Sequence, residues 1–166
     1  VGVPALPRQG VAEVSWRAGR SVNDAEYDEQ KARVQKLIER WPKALGLHWW
    51  RITYDWYRHD MPDDEGKPDL ASVMRCAARW EYLDATIKIN LELVATLEDT
   101  RLEWIFVHEL MHIFLKEQRW DDNDSKDSMN HEERVASMLA MAFIWIRDFV
   151  EEGQAPALKA ELDGPA

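Results

Sequence analysis

Residues 100–118 read TRLEWIFVHELMHIFLKEQ. Apolar side chains would fall on nearly every side of a helix formed by this stretch, which is typical of a buried helix. Thr100 and Glu103 match the capping-box pattern that starts a helix. We therefore predict a buried helix that begins at about residue 101 and ends at about residue 118.

The middle of this helix carries polar groups that a core helix does not need. The residues are His108-Glu109-Leu110-Met111-His112, with the spacing H-E-x-x-H. Positions four apart lie one turn apart on the same face, so two imidazoles can bind one metal ion, and Glu109 can take a proton from water on that ion. The alternative is a pair of core histidines bonded to backbone, which leaves the glutamate without a partner at a cost in free energy. We expect His108 and His112 to bind a metal and Glu109 to be the catalytic base.

Two histidines do not complete a catalytic zinc site, which usually has three protein ligands and one open position for water. The last predicted helix would run antiparallel to the motif helix, with its first turns facing the histidines. Three residues there could be the third ligand: His131, Glu132 and Glu133. We favour Glu133, because it shares a helix face with Ala136 and other small residues that allow close approach, whereas Glu132 lies about 100° around the helix. A capping box between Asn130 and Glu133 is the competing interpretation.

These residues resemble a known family. The H-E-x-x-H run together with Glu133-Arg134-Val135-Ala136 is similar to the gluzincin pattern H-E-x-x-H … E-x-x-A. Small single-domain versions occur among phage-encoded and bacterial metallopeptidases, including the ImmA/IrrE kind. The resemblance covers about residues 100–150. It implies zinc, peptide-bond hydrolysis, metal ligands at His108, His112 and Glu133, and a general base at Glu109.

Departures from related patterns narrow this interpretation. Metzincins carry Gly and His where this chain has Leu115 and Gln118, so that branch is excluded. Many gluzincins have an aspartate that supports a histidine ligand where this chain has Ser137; a serine hydroxyl or a backbone carbonyl could serve instead. A further donor usually stabilises the oxyanion. The sequence does not choose among four candidates for it: Tyr57, Tyr82, His131 and Arg134.

The rest of the chain predicts an α+β fold. A small antiparallel sheet of two or three strands would pack on the motif helix and the C-terminal helix, in a minimal zincin-like arrangement. Periodicity and turn signals predict a helix over 24–41, strands over 48–58, 71–82 and 85–89, a short helix over 91–97 capped by Asn90, and a last helix from Asn130 to about 151. We expect one metallopeptidase-like domain over residues 1–152, with an irregular lead-in over 1–20, and a loosely held tail over 153–166.

The strand before the motif helix has a second possible role. If Ala85–Asn90 lay at an open sheet edge beside the metal, it could hold an extended peptide by strand addition. An ordinary core strand is the equal alternative.

Composition excludes several classes of function. With a net charge of −10 the chain lacks the basic surplus that nucleic-acid binding needs. Its single cysteine, Cys76, allows no internal disulfide or cysteine-based zinc site and favours a reducing, cytoplasmic setting. No apolar stretch reaches the roughly 18 residues of a membrane span.

The sequence therefore predicts a zinc metallopeptidase that acts on a protein or peptide. The alternative is a non-catalytic binding or regulatory protein on a zincin-like fold, with a structural or vestigial zinc site. The intact Glu109 favours catalysis, because a structural site does not use a base there.

Overall fold

The computed structural model describes residues 23–63, 65–118 and 126–151. They form α1 (Asp24–Ala44), β1 (Arg51–Tyr57), β2 (Met74–Arg79), β3 (Asp84–Asn90), α2 (Leu91–Val94), α3 (Asp99–Gln118) and α4 (Lys126–Glu151). This order confirms the predicted α+β class. The predicted lead-in over 1–20, the tail over 153–166 and the boundary at 152 lie outside the described residues. No helix in the described ranges has the length and apolar character needed to cross a membrane.

The first helix begins where the sequence predicts. Asn23 accepts a hydrogen bond from the Glu26 N–H at 2.9 Å, and the Glu26 carboxylate accepts one from the Asn23 N–H at 3.2 Å, which is a complete capping box. The predicted end at residue 41 is wrong, since Pro42 lies inside the last turn. Proline has no N–H donor and costs the helix one hydrogen bond, but the helix still continues to Ala44. Gly46 then reverses the chain with a φ of 70°.

The sheet is mixed, which corrects the antiparallel expectation. Its order is β1-β3-β2, with β1 parallel and β2 antiparallel to β3. A short 3₁₀ turn over Trp80–Tyr82 joins β2 to β3 as neighbours, whereas β1 pairs on the other side of β3. The edge role proposed for Ala85–Asn90 is therefore wrong. That strand lies in the centre of the sheet, and β2 forms the edge that packs against α3.

Strands β1 and β2 are shorter than predicted, in part because 3₁₀ turns take flanking residues, whereas β3 is one residue longer at each end. Leu47–Trp49 forms one before β1 and Trp80–Tyr82 forms another after β2. Asn90 caps α2 as expected, accepting from the Leu93 N–H at 3.3 Å, although α2 ends at Val94 rather than 97.

Helix α3 forms the centre of the core. Its side chains pack between the sheet on one side and α4 on the other. The fully buried ones include Phe106, Leu110, Met111 and Ile113. From α4, Ala136 and Ala140 are also fully buried, which confirms that small residues line the face through which the two helices approach each other.

Both helices of the motif start earlier than their predicted caps. Helix α3 begins at Asp99, so Thr100 lies inside it. Glu103 does not complete a capping box with Thr100 but accepts a hydrogen bond from Trp41 Nε1 at 2.8 Å. Helix α4 begins at Lys126, so Asn130 lies about one turn inside and caps nothing. No Gly or Pro interrupts residues 126–133, and each added residue contributes a further helical bond. The capping interpretation of Glu133 is therefore wrong.

Candidate metal centre

Two helices bring three potential ligands together. His108 and His112 lie one turn apart on α3, and Glu133 reaches them from α4. One ligand atom from each lies within 4.8 Å of the others, a group that could hold a metal ion. The Nε2 atoms of the histidines are 3.1 Å apart, and the two oxygens of Glu133 lie 3.2 Å from His108 Nε2 and 3.4 Å from His112 Nε2.

These separations match the requirements of a four-coordinate ion. With metal–ligand bonds of about 2.0–2.1 Å, neighbouring ligands of a tetrahedral site lie roughly 3.3 Å apart. The three side chains already have that spacing, so no large rearrangement is needed for them to surround one ion. Two neutral imidazoles and one carboxylate also leave a fourth position open.

The remaining ring nitrogens are held by other side chains of α4. Glu132 Oε1 lies 2.9 Å from His112 Nδ1, and Ser137 Oγ lies 3.3 Å from His108 Nδ1. Both contacts leave the Nε2 atoms directed at Glu133. Of the alternative third ligands, Glu132 thus contacts the back of a histidine, and His131 is exposed with its Nδ1 3.2 Å from Arg134. Ser137 occupies the supporting position that the sequence suggested for it.

His108 is also fixed by its own helix. Its ring packs against Trp104, with 5.4 Å between centroids, and the Arg101 guanidinium lies 4.2 Å above the same indole. Burial, followed by the proximity of His112, lowers the pKa of His108. Both effects favour the neutral imidazole, which is the form that binds metals.

Glu109 lies at the wall of the same site. Its side chain is buried, and burial raises the pKa of Glu109 to about 8. The Cys76 backbone N–H partly offsets this effect, because a hydrogen bond to the ionised carboxylate lowers the pKa. The carboxylate is therefore anchored to β2, next to the two histidines. Cys76 itself is a partly buried residue of this strand, as the sequence predicted.

The hydrogen-bond register shows which edge of the sheet meets Glu109. The Asn90 N–H donates to the Val73 carbonyl at 2.9 Å, which makes that pair a hydrogen-bonded one. Hydrogen-bonded and non-hydrogen-bonded pairs alternate along an antiparallel ladder, so Cys76 and Ile87 form a non-hydrogen-bonded pair. The N–H and C=O groups of Cys76 therefore point away from β3. The bond from Cys76 to Glu109 agrees with this. The site thus lies against the outward-facing backbone of β2.

An open cavity of about 740 Å³ contains these groups. Its walls come from β2, α3 and α4, and its cationic lining residues are Arg75, Arg79 and Lys116. Arg75 contacts Asp69 at 2.9 Å. Sequence reasoning missed these three as site residues, because only the pairing of β2 beside α3 brings them there.

None of the four oxyanion candidates lines the cavity within the described part of the chain. Tyr57 ends β1, Tyr82 lies in the turn after β2, and His131 and Arg134 contact each other on the exposed side of α4.

No protein-family model, no curated protein and no solved structure matches this chain.

Proposed function

We propose that this chain is a zinc-dependent metallopeptidase of the gluzincin type. The observation that carries the proposal is the joint placement of three ligand atoms within 4.8 Å and of Glu109 in one open cavity. The donor set of two imidazoles and one carboxylate, with a vacant fourth position, suits catalytic zinc. A site with only a structural role would have no use for a carboxylate beside the ligands.

Zinc, when bound, lowers the pKa of water and polarises the scissile carbonyl. The charge of a bound divalent cation would offset the effect of burial and hold Glu109 ionised, so that Glu109 can accept a proton from the attacking water and pass it to the leaving amine. The Cys76 backbone N–H lies on the Glu109 side of β2 and favours the ionised form of this carboxylate at the cavity wall. Glu132 and Ser137 fix the orientation of the two imidazoles from behind.

A peptide substrate suits the wall opposite α4. The outward backbone groups of Met74, Cys76 and Ala78 follow from the register of the β2–β3 ladder, and they lie along the same edge as Glu109. An extended peptide can add to this edge by main-chain hydrogen bonds, which presents its carbonyl groups to the site. The strand-addition role that the sequence suggested for β3 is here proposed for β2.

Metal analysis combined with peptide cleavage tests the proposal. We expect wild-type protein to bind zinc stoichiometrically and to cleave peptides in a diverse library. Glu109→Gln should retain zinc and lose at least about 10²-fold in rate, the usual contribution of a general base. Glu29→Gln, an exposed change on α1, is the matched control and should change neither.

Three outcomes would contradict the proposal. Wild-type cleavage rates in Glu109→Gln would exclude the assigned base. Bound zinc without cleavage of any peptide or protein substrate would support the non-catalytic alternative. A protein that binds no divalent metal would exclude both.

A further inference from the structure

We propose that Trp80, Tyr82 and Leu83, called here the apolar corner, bind a bulky apolar side chain of the peptide substrate at a distance from the scissile bond. The corner is the turn between β2 and β3. The inference depends on the proposed peptidase function, because it names the occupant as the same peptide that lies along β2. It adds a determinant of substrate specificity that is separate from the metal site.

The first observation is exposure. The three residues are 48%, 70% and 39% exposed, although large apolar side chains gain free energy by burial. Trp49, also exposed, precedes Arg51, whose N–H donates to the Leu83 carbonyl at 2.8 Å. This bond places the start of β1 beside the corner, so Trp49 adds a fourth exposed large apolar side chain near the same end of the sheet, and exposed apolar patches mark interaction sites.

The second observation is backbone strain at Leu83. Its φ is 49°, in the left-handed region that glycine or asparagine adopts at less cost than leucine. The turn requires the conformation but does not require a leucine side chain, which is partly exposed and so gains little from packing. Strained positions of this kind concentrate where a side chain serves binding or catalysis.

The third observation is continuity with the cavity. Arg79 and Asp84 flank the turn on either side, and both line the cavity that holds the metal ligands. The Tyr82 ring lies 5.4 Å from the Arg79 guanidinium. Trp80 follows Cys76, the anchor of Glu109, by four residues, or roughly 13 Å along a strand. An extended peptide on this edge would therefore reach the corner three to four residues from the bond that is cleaved.

The charges around the corner indicate an uncharged occupant. Arg79 binds Asp84 through two nitrogens, at 2.9 and 2.7 Å, and Arg51 binds the same carboxylate at 3.1 Å. Glu81 lies in the turn itself, so two positive and two negative charges surround the corner, and the rest of its surface is aromatic and aliphatic. Phe, Leu, Trp or Tyr side chains fit this surface better than charged ones.

Selection of displayed random 12-residue peptides on zinc-loaded Glu109→Gln protein tests the inference. We expect the selected peptides to carry a bulky apolar residue three to four positions from the bond that wild-type protein cleaves in them. Trp80→Ser and Leu83→Gly should each weaken peptide binding about fivefold or more, as removal of apolar contact area requires. Leu83→Gly should leave the melting temperature close to that of wild type, because glycine adopts a φ of 49° without strain while giving up the partial burial of leucine, so weaker binding cannot be attributed to misfolding.

Trp145→Ser provides the matched control, since Trp145 is 65% exposed on α4. It should leave peptide affinity unchanged. Two results would refute the role of the apolar corner without affecting the proposed peptidase activity. They are normal zinc-dependent cleavage with no apolar preference, and unchanged peptide affinity in Trp80→Ser and Leu83→Gly. Peptides that bind through the corner and are not cleaved would overturn the peptidase alone. Corner-dependent binding to phosphatidylcholine vesicles with no peptide binding would assign this surface to a membrane and overturn the inference.

Discussion

Replacing Glu132 with alanine should weaken zinc binding without removing a ligand. The Glu132 carboxylate lies 2.9 Å from His112 Nδ1, and the two side chains are only 18% and 15% exposed. A hydrogen bond to a charged group contributes about 1.5–3 kcal/mol, which corresponds to roughly 10- to 150-fold in affinity. This agrees with the loss of about 10- to 100-fold usual for groups that support a metal ligand.

Ser137→Ala gives a graded comparison. The Ser137 hydroxyl is neutral and lies 3.3 Å from His108 Nδ1, so its bond should contribute only about 0.5–1.5 kcal/mol. Zinc affinity should therefore decrease in the order wild type, Ser137→Ala, Glu132→Ala, Glu133→Ala. Glu132→Gln retains an oxygen acceptor and should fall between wild type and Glu132→Ala.

Competition with a chromophoric zinc chelator, at one fixed pH and salt concentration, measures these affinities. His131→Ala is the control, because His131 is exposed and contacts Arg134 rather than the cluster. If Glu132→Ala lost as much affinity as Glu133→Ala, Glu132 would be a ligand and the assignment of roles on α4 would be wrong. If Ser137→Ala lost as much zinc affinity as Glu132→Ala, the expectation that a charged partner supports its histidine more strongly than a neutral one would be wrong.

Three further predictions concern stability. Glu103→Ala should lower the free energy of unfolding by about 2 kcal/mol in urea denaturation, since the Trp41 indole N–H and the largely buried Arg147 both lose their bond to this carboxylate while Arg147 keeps its contact with Asp148; a loss below about 1 kcal/mol would contradict this. The hydrogen bond from Arg79 lowers the pKa of Asp84, so this carboxylate stabilises the fold above its unfolded pKa and ceases to do so as the pH falls through the lower folded value. Asp84→Asn should therefore flatten the acid side of a melting-temperature profile, and an unchanged profile would refute the argument. Gly46→Ala should cost about 1 kcal/mol from its φ of 70° alone, because nothing lies within 4 Å of the added carbon; a loss above about 3 kcal/mol would indicate a clash.

The helices could be predicted from the sequence because their signals are local. The apolar pattern around His108 and the start at Asn23 depend on neighbours within one or two turns, and both elements formed where expected. Helix ends were less predictable. Pro42 and Asn130 are each compatible with a boundary, but continued helical hydrogen bonding overrides both patterns.

Strand order could not be predicted, because it depends on contacts far apart in sequence. The alternation in Ala85–Asn90 is the same for an edge strand and a central one. Only the parallel pairing with β1, more than 30 residues earlier, places this segment in the middle. The sequence therefore suggested an open edge for a strand that lies in the centre of the sheet.

The site shows the same limit at the level of single residues. The spacing of His108 and His112 is sufficient to place two potential ligands on one face, and small residues on α4 favour Glu133 as a third. Which carboxylate faces which ring nitrogen depends on the rotation of α4 against α3. One residue corresponds to about 100° of helix, so Glu132 and Glu133 contact different ring nitrogens because of packing that no local pattern encodes.

The register of the sheet connects these parts. Asn90 caps α2 with its side chain and donates its N–H to the Val73 carbonyl, so the start of α2 also fixes the register of β2. A slip of β2 by one residue would carry every side chain of the strand to the other face of the sheet, so the buried Met74 would exchange faces with Arg75. The buried face of β2 therefore selects the register in which the Cys76 backbone, rather than that of Arg75 or Ala77, points outward beside Glu109. One pairing of strands thus determines which residues of β2 border the candidate site and which of them a peptide on this edge would meet.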